Sequence, residues 1–310
     1  MREDKREMRT IVRIKTLQTA LATARAGKRV GLVPTMGAFH EGHLALMRRA
    51  RRECGIVVVS LFVNPTQFGL GEDYDAYPRH LASDRVKAKS AGADFLWTPG
   101  VEDLYPEGDR TTVEVGAVGR RWEGEHRPGH FRGVATVVAK LFTTVQPDRA
   151  YFGWKDYQQV CVIRQMTRDL LFPVALRILP TVREANGLAM SSRNERLSPE
   201  ARAAAPSLYR ALQSAYAMAQ QGERRAKMIV EQVASVLRAF PPLQIDYVAL
   251  CHPDTLEPIA QITDIAVLLA AIRIGSVRLI DNIVLSGKRL SAPPRRTSVD
   301  QRSQNKLETS

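Results

Sequence analysis

From Lys28 onward, short apolar runs alternate with stretches in which apolar residues recur every three or four positions. "RVGLVP" and "GIVVVSLFV" are continuous apolar runs bounded by polar residues, the pattern of strands buried on both faces. Between them, residues 43–54, "HLALMRRARREC", set apolar positions at helical spacing against an arginine-rich face. That is a βαβ unit. Further strands are predicted at "ADFLWTP", "DRAYFG" and "VALRILPTV", and helices near residues 79–91, 133–145 and 156–172. Such alternation predicts an α/β fold with a Rossmann-like, doubly wound parallel sheet.

After Val182 the texture changes. "SPEARAAAPSLYRALQSAYAMAQQ" and "RRAKMIVEQVASVLRAF" are successive helical patterns, followed by strand-like "IDYVALC", "AVLLAAIRI" and "VRLIDNIVL". Helices gathered before strands predict a second, smaller α+β C-terminal domain. The expected division is residues 1–181, 182–286, and a basic tail, 287–310, expected to be disordered because it has almost no large apolar residues.

Composition narrows the class. With 310 residues and 45% hydrophobic content, the chain can bury one large core or two modest ones. The longest apolar run, "IAVLLAAIRIGSVRLI", is interrupted by Arg273 and Arg278 and falls short of the roughly 18 to 20 uncharged residues of a membrane span. "MREDKREMRT" contains no apolar segment of a secretory signal, so a cytoplasmic location without membrane association is expected. Cys54, Cys161 and Cys251 are widely spaced in apolar surroundings, as buried reduced thiols would be. The net charge of +13 invites a nucleic-acid partner. However, residues 1–15 and 287–310 supply +3 and +4 of it, so about half the excess is expected outside the fold. Only 6% of residues are aromatic, and no cluster interleaves them with basic residues as a base-stacking platform requires. No nucleic-acid partner is therefore expected.

The candidate chemistry begins where the first strong strand stops. "PTMGAFHEGH", residues 34–43, interrupts an apolar strand with proline, glycines and two histidines before the helical pattern resumes. In an open α/β sheet, ligands bind beyond the carboxyl ends of strands, where the next helix presents unpaired N–H groups. His40 and His43 stand three residues apart and could face one anion there. The spacing is not that of HExxH zinc sites, and no GK[ST] follows to make a P-loop.

"HEGH" resembles the HxGH motif of the nucleotidylyltransferase superfamily, and "MSSRN" resembles its companion loop on the far side of ATP. With "VPTMGAFHEGHL", "FVNPTQF", "RPGHFRGVATVV", "FGWKDYQQ", "REANGLAMSSRN" and "RLIDN", the chain resembles the pantothenate synthetase family over roughly residues 28–285. The resemblance implies ligation of pantoate to β-alanine through a pantoyl adenylate, with ATP as co-substrate, Mg2+ beside it, and a homodimer. It assigns Met36, Gly37, Ala38, Phe39, His40, Glu41, Gly42 and His43 to ATP, with His43 catalytic as a proton donor. Gly153, Trp154, Lys155, Asp156, Val182, Met190, Ser191, Ser192 and Arg193 also match nucleotide-binding positions. Gln67 matches a contact with pantoate and β-alanine, Gln159 a second pantoate contact, and Asp84 is a candidate metal ligand. His43, Lys155 and Arg193 are expected to supply fixed cations and N–H donors where phosphoryl charge develops.

Singly, several of these strings have plainer readings. Lys155 and Asp156 could form a charge pair at a helix start, "MSSRN" a capped turn, "FVNPTQF" a strand end with a Pro turn, and "RPGHFRG" a surface loop. Trp154 departs from the smaller or polar residue expected between Gly153 and Lys155; it could crowd the adenosine or point outward. A nucleotidylyltransferase that stops after AMP transfer shares HxGH but leaves "FVNPTQF" and the two glutamines unexplained.

Overall fold

The structure, a computed structural model, describes residues 7–287. The tail from 288 onward lies outside the described residues. In chain order the first unit comprises β1 (Arg9–Ile11), α1 (Ile14–Arg25), β2 (Val30–Thr35), α2 (Glu41–Glu53), β3 (Ile56–Leu61), α3 (Leu81–Ser90) and β4 (Phe95–Trp97). Two single turns, α4 (Val101–Leu104) and α5 (Glu123–His126), precede α6 (His130–Val145), β5 (Arg149–Gly153), α7 (Tyr157–Asp169) and β6 (Ala175–Leu179).

The predicted apolar runs become the strands of a six-stranded sheet in the order β1-β4-β3-β2-β5-β6. Every pairing is parallel. β2 pairs with β3 from Val30↔Ile56 to Thr35↔Leu61, and with β5 only at Gly31↔Arg149 and Leu32↔Ala150. The chain moves from β2 to one side through β3 and β4, then returns to the other through β5 and β6. The strand order therefore reverses between β2 and β5, and their carboxyl ends flank the natural ligand crevice of an open sheet.

Residues 8–15, expected among the charged flanks, belong to the fold. β1 pairs with β4 from Arg9↔Phe95 to Ile11↔Trp97, and Met8 and Ile11 are buried. α1 then buries Leu17, Ala20 and Leu21 at helical spacing. The exposed basic residues hid a short edge strand that needs few apolar contacts.

The second unit comprises α8 (Pro199–Ala204), α9 (Ser207–Gln220), α10 (Ala226–Arg238), β7 (Leu243–Cys251), β8 (Ile265–Ile274) and β9 (Val277–Ser286). Its strands form an antiparallel sheet in the order β7-β8-β9. Central β8 is buried on both faces, and the alternation of its side chains shows why its sequence is continuously apolar. Leu268, Ala270 and Ile272 join the core beneath α9 and α10, while Val267 and Leu269 join the core that contains α6 and α7. The small sheet is thus packed between its own helices and the first unit, and brings β9 to the crevice.

The three cysteines are free and buried, and burial pushes the Cys161 and Cys251 thiols up to about 12. Among the described residues, no helix is long and apolar enough to cross a membrane.

Candidate active site

A cavity of about 570 Å³ opens at the β2/β5 switch point. β5 leaves β2 after Leu32, so the ladder between them has ended before Pro34, which has no N–H to contribute. The strand runs through Pro34 to Thr35 and breaks at Met36, two residues later than proline alone would suggest.

The turn that follows is held from below. Gly37 and Ala38 both have positive φ, +90° and +50°, and Ala38 carries the steric cost of a side chain in that region. Asp84 on α3 offsets it: its carboxylate accepts the N–H of Ala38 at 2.8 Å and that of Phe39 at 2.7 Å. Lys87, one turn further along α3, donates to the Phe39 carbonyl at 2.7 Å. Asp84 is fully buried, with both oxygens directed at the turn, and it does not line the cavity. The metal-ligand role expected of it draws no support from this geometry, which is that of a latch for the backbone.

His40 caps α2. Its Nδ1 accepts the N–H of Gly42 at 3.1 Å, and a Cβ at residue 42 would stand 2.8 Å from the imidazole carbon Cε1. Glycine at this position of HxGH is therefore what lets the cap fold over its own helix. His43 reaches back, its Nδ1 accepting the His40 N–H at 3.4 Å, and the two rings lie 4.1 Å apart. With each Nδ1 acting as an acceptor, each ring carries its proton on Nε2. Burial, reinforced by Lys155, lowers His40 to about 4. Burial, then His40, Lys155 and Lys87, lower His43 well below the ordinary histidine value. Of the fixed cations and N–H donors expected here, His43 is therefore placed as an N–H donor.

The cations opposite are paired. Lys155 Nζ lies 3.3 Å from Asp156. Arg193 makes a two-pronged contact with Asp73, at 2.8 and 2.9 Å, and Arg196 shares the same carboxylate at 2.6 Å. The loop carrying Arg193 is both a capped turn and a wall of the site. Ser191 caps the turn Ser192–Arg196, and Ser192 Oγ donates to the Ala38 carbonyl at 3.4 Å, joining it to the HxGH turn.

Gln67 is buried in the turn Pro65–Gln67. Its amide oxygen accepts from Asn64 at 3.2 Å, and its amide nitrogen lies 3.0 Å from the Met36 sulfur, a weak acceptor. Its carbonyl accepts from His130 Nδ1 at 2.8 Å and from Arg127 at 3.3 Å. The first turn of α6 comes so close that a Cβ on Gly133 would lie 2.3 Å from the Thr66 carbonyl oxygen. This explains the "RPGHFRG" string: it is a seat for the Gln67 turn rather than a surface loop. Gln159, on α7, is half-buried and lines the same cavity.

Of the expected nucleotide residues, Met36, His40, Gly42, His43, Gly153, Lys155, Asp156, Val182, Met190, Ser191, Ser192 and Arg193 line the cavity. Gly37, Ala38 and Phe39 form its foundation without lining it, and Glu41 is exposed and paired with Arg48. The Trp154 ring turns away, stacking on Tyr157 at 4.8 Å beneath the Arg164 guanidinium, so it does not crowd the cavity. Sequence reasoning missed Asp73, Glu72 and Tyr77, which line the cavity, and the buried Glu123–Arg278 pair.

A cavity at the switch point of a parallel sheet, with neutral N–H donors on a helix's first turn and amides beside it, defines an α/β enzyme acting on an anionic ligand. The chain belongs to the pantoate-beta-alanine ligase family, whose model matches residues 9–284. It is 50% identical over 279 residues to pantothenate synthetase of Moorella thermoacetica, covering 90% of this chain and 99% of that one. The crystal structure of pantothenate synthetase from Thermus thermophilus is similar at a TM-score of 0.85 and 53% identity, over 89% of this chain and 99% of that chain. A pantoate-beta-alanine ligase from Francisella tularensis, complexed with beta-gamma ATP and beta-alanine, matches at a TM-score of 0.75 and 32% identity, over 89% and 97%.

Proposed function

We propose that this enzyme condenses (R)-pantoate with β-alanine to give pantothenate, at the expense of ATP. A pantoate carboxylate oxygen attacks the α-phosphorus as the bond to the departing pyrophosphate breaks, giving pantoyl adenylate. The β-alanine nitrogen then attacks the acyl carbon, AMP leaves with the bonding electrons, and the nitrogen loses its proton. The observation that carries this reading is the pair of neutral Nε2–H imidazoles at the N-cap and first turn of α2, in one cavity with Lys155 and the buried Gln67 amide. The Francisella relative, complexed with beta-gamma ATP and beta-alanine, supports the substrate assignment.

In this reading the backbone N–H groups of α2 and the His43 Nε2–H face the phosphates. Lys155 and Arg193, each balanced by a carboxylate, orient them without adding uncompensated charge to the cavity. Gln67 and Gln159 bind pantoate as neutral amides that do not compete as nucleophiles. Among the described residues, no group of three or more His, Cys, Asp or Glu could hold a metal ion. Asp156, half-exposed, is the cavity carboxylate not committed to an arginine. These donors fit Mg2+ arriving on the ATP phosphates and held by Asp156, where it would offset phosphate charge. The family likeness also supports a cytoplasmic homodimer. The change from a parallel sheet ending at Leu179 to an antiparallel one supports a domain boundary at 181/182.

Exchange of labelled pyrophosphate into ATP tests the reading. It should require pantoate and proceed without β-alanine; no exchange with any acid would overturn it. Gln67→Ala should raise the pantoate KM by the equivalent of about 1 to 3 kcal/mol, by leaving a buried polar partner unmatched, and change ATP binding much less. Equal weakening of both ligands would remove Gln67 from the pantoate site.

A further inference from the structure

We propose that Asp281 and Asn282, adjacent on β9, are positioning residues that hold both ATP-facing loops in place against α2. The inference rests on the ATP reading above. Successive residues on a strand point to opposite faces, and here each reaches a different loop.

Asn282 Nδ2 donates to the carbonyls of Trp154 at 2.8 Å and Lys155 at 3.0 Å. The turn Trp154–Asp156 has no side-chain cap of its own, so a residue more than a hundred positions away fixes the backbone from which Lys155 extends. Asp281 receives both arms of Arg183, Nη1 at 2.5 Å and Nη2 at 3.0 Å. Arg183 also donates to the Gly187 carbonyl at 3.1 Å, and its guanidinium lies 3.8 Å from the centre of the Tyr209 ring. It anchors the base of the 182–190 hairpin, closed by Met190 N–H to the Val182 carbonyl at 3.0 Å, and this hairpin leads directly into Ser191–Arg193. Asp281 and Asn282 are nearly fully buried, so neither interaction competes with bulk water.

Two loops separated in sequence and meeting the ligand from different directions are thus referenced to one dipeptide. Lys155 keeps its distance from the Arg193 loop because both are tied to the same strand. The "RLIDN" string acquires a role: its last two residues, in the wall of the same cavity, set the spacing of the phosphate-facing side chains.

Calorimetric ATP titration, pantoate KM at saturating ATP, and thermal melting of Asn282→Asp, Asn282→Ser, Asp281→Asn and Val284→Ala test this. Asn282→Asp and Asp281→Asn should weaken ATP binding about tenfold, as the loss of two hydrogen bonds does, with the pantoate KM within about twofold. Asn282→Ser, which keeps one donor, should fall between Asn282→Asp and the parent and serves if the Asp variant does not fold. Val284, on the same strand but exposed, should bind ATP as the parent does when replaced by Ala. Parent-like ATP affinity in folded Asn282 and Asp281 variants overturns the proposal, as does equal weakening toward ATP and pantoate. A parent protein that binds no ATP overturns the functional reading itself, a result distinct from either.

Discussion

Replacing His43 with alanine should slow formation of pantoyl adenylate by roughly a hundredfold to a thousandfold, the usual cost of removing one preorganised donor to developing charge. The donor is fixed before substrate arrives. His43 Nδ1 accepts the His40 N–H, which leaves Nε2–H available and holds the ring against rotation. Burial and the neighbouring His40 and Lys155 keep the ring neutral well below the ordinary histidine range. The group therefore stabilises charge by hydrogen bonding without first having to lose a proton or shed an ion. The sign of the pH effect follows. A histidine whose value is lowered stays neutral as pH falls through the usual range, so the adenylation rate should show no inflection from His43 between about pH 6 and 8. Ground-state ATP affinity should change less than the rate, because charge on the departing pyrophosphate grows only during transfer. Single-turnover measurement of adenylate separates the two, and β-alanine attack on preformed adenylate should be less affected. Near-normal adenylation in folded His43→Ala would return His43 to a capping role alone.

The parts of this fold that were legible in the sequence are those whose signal is local. β2 and β3 are buried on both faces and read as continuous apolar runs, and α2 shows its amphipathic spacing directly. β1 buries one residue of three and gave no periodic signal, which is why residues 8–15 read as a charged flank. The same distinction governs the site. HxGH and "MSSRN" are contiguous, so their residues could be named, and most line the cavity. Their electrostatic partners are not contiguous. Asp73 meets Arg193 across 120 positions and Asp281 meets Arg183 across 98, so no spacing rule could have paired them. Without those partners, Arg193 reads as a free cation; with them, it is part of a balanced network.

Balance has a functional consequence. Unpaired cations in a half-buried cavity would be costly to desolvate and would compete for any passing anion. Here Arg193, Arg196 and Asp73 form one cluster, and Arg127 with Glu72 is joined through Glu123 to Arg278 and Asp246 in another. Each fixes side-chain direction while limiting net charge. Selectivity for ATP and a hydroxy acid then rests on hydrogen-bond geometry, which is why displacement of a loop by a fraction of an ångström should matter more than loss of one charge.

Asp84 shows how far such geometry reaches, and its removal should be the most damaging change to the nucleotide turn. Its two oxygens satisfy the buried N–H groups of Ala38 and Phe39, and no helix or sheet ladder supplies these donors with another partner. Asp84→Ala leaves both unsatisfied, at about 1 to 3 kcal/mol each, beneath a backbone already held at positive φ in Gly37 and Ala38. The expected result is a melting temperature lower by roughly 5 to 10 °C, with loss of ATP binding in the protein that remains folded. Asp84→Asn is the sharper probe. Its amide oxygen can still accept one N–H, but its NH2 group then faces the other donor, so the carboxylate's shape is retained while half its function is reversed. Both variants should lose stability equally with and without Mg2+, because the carboxylate binds backbone rather than metal. An Asp84→Asn protein that melts like the parent but requires more Mg2+ for adenylation would instead restore Asp84 as a metal ligand.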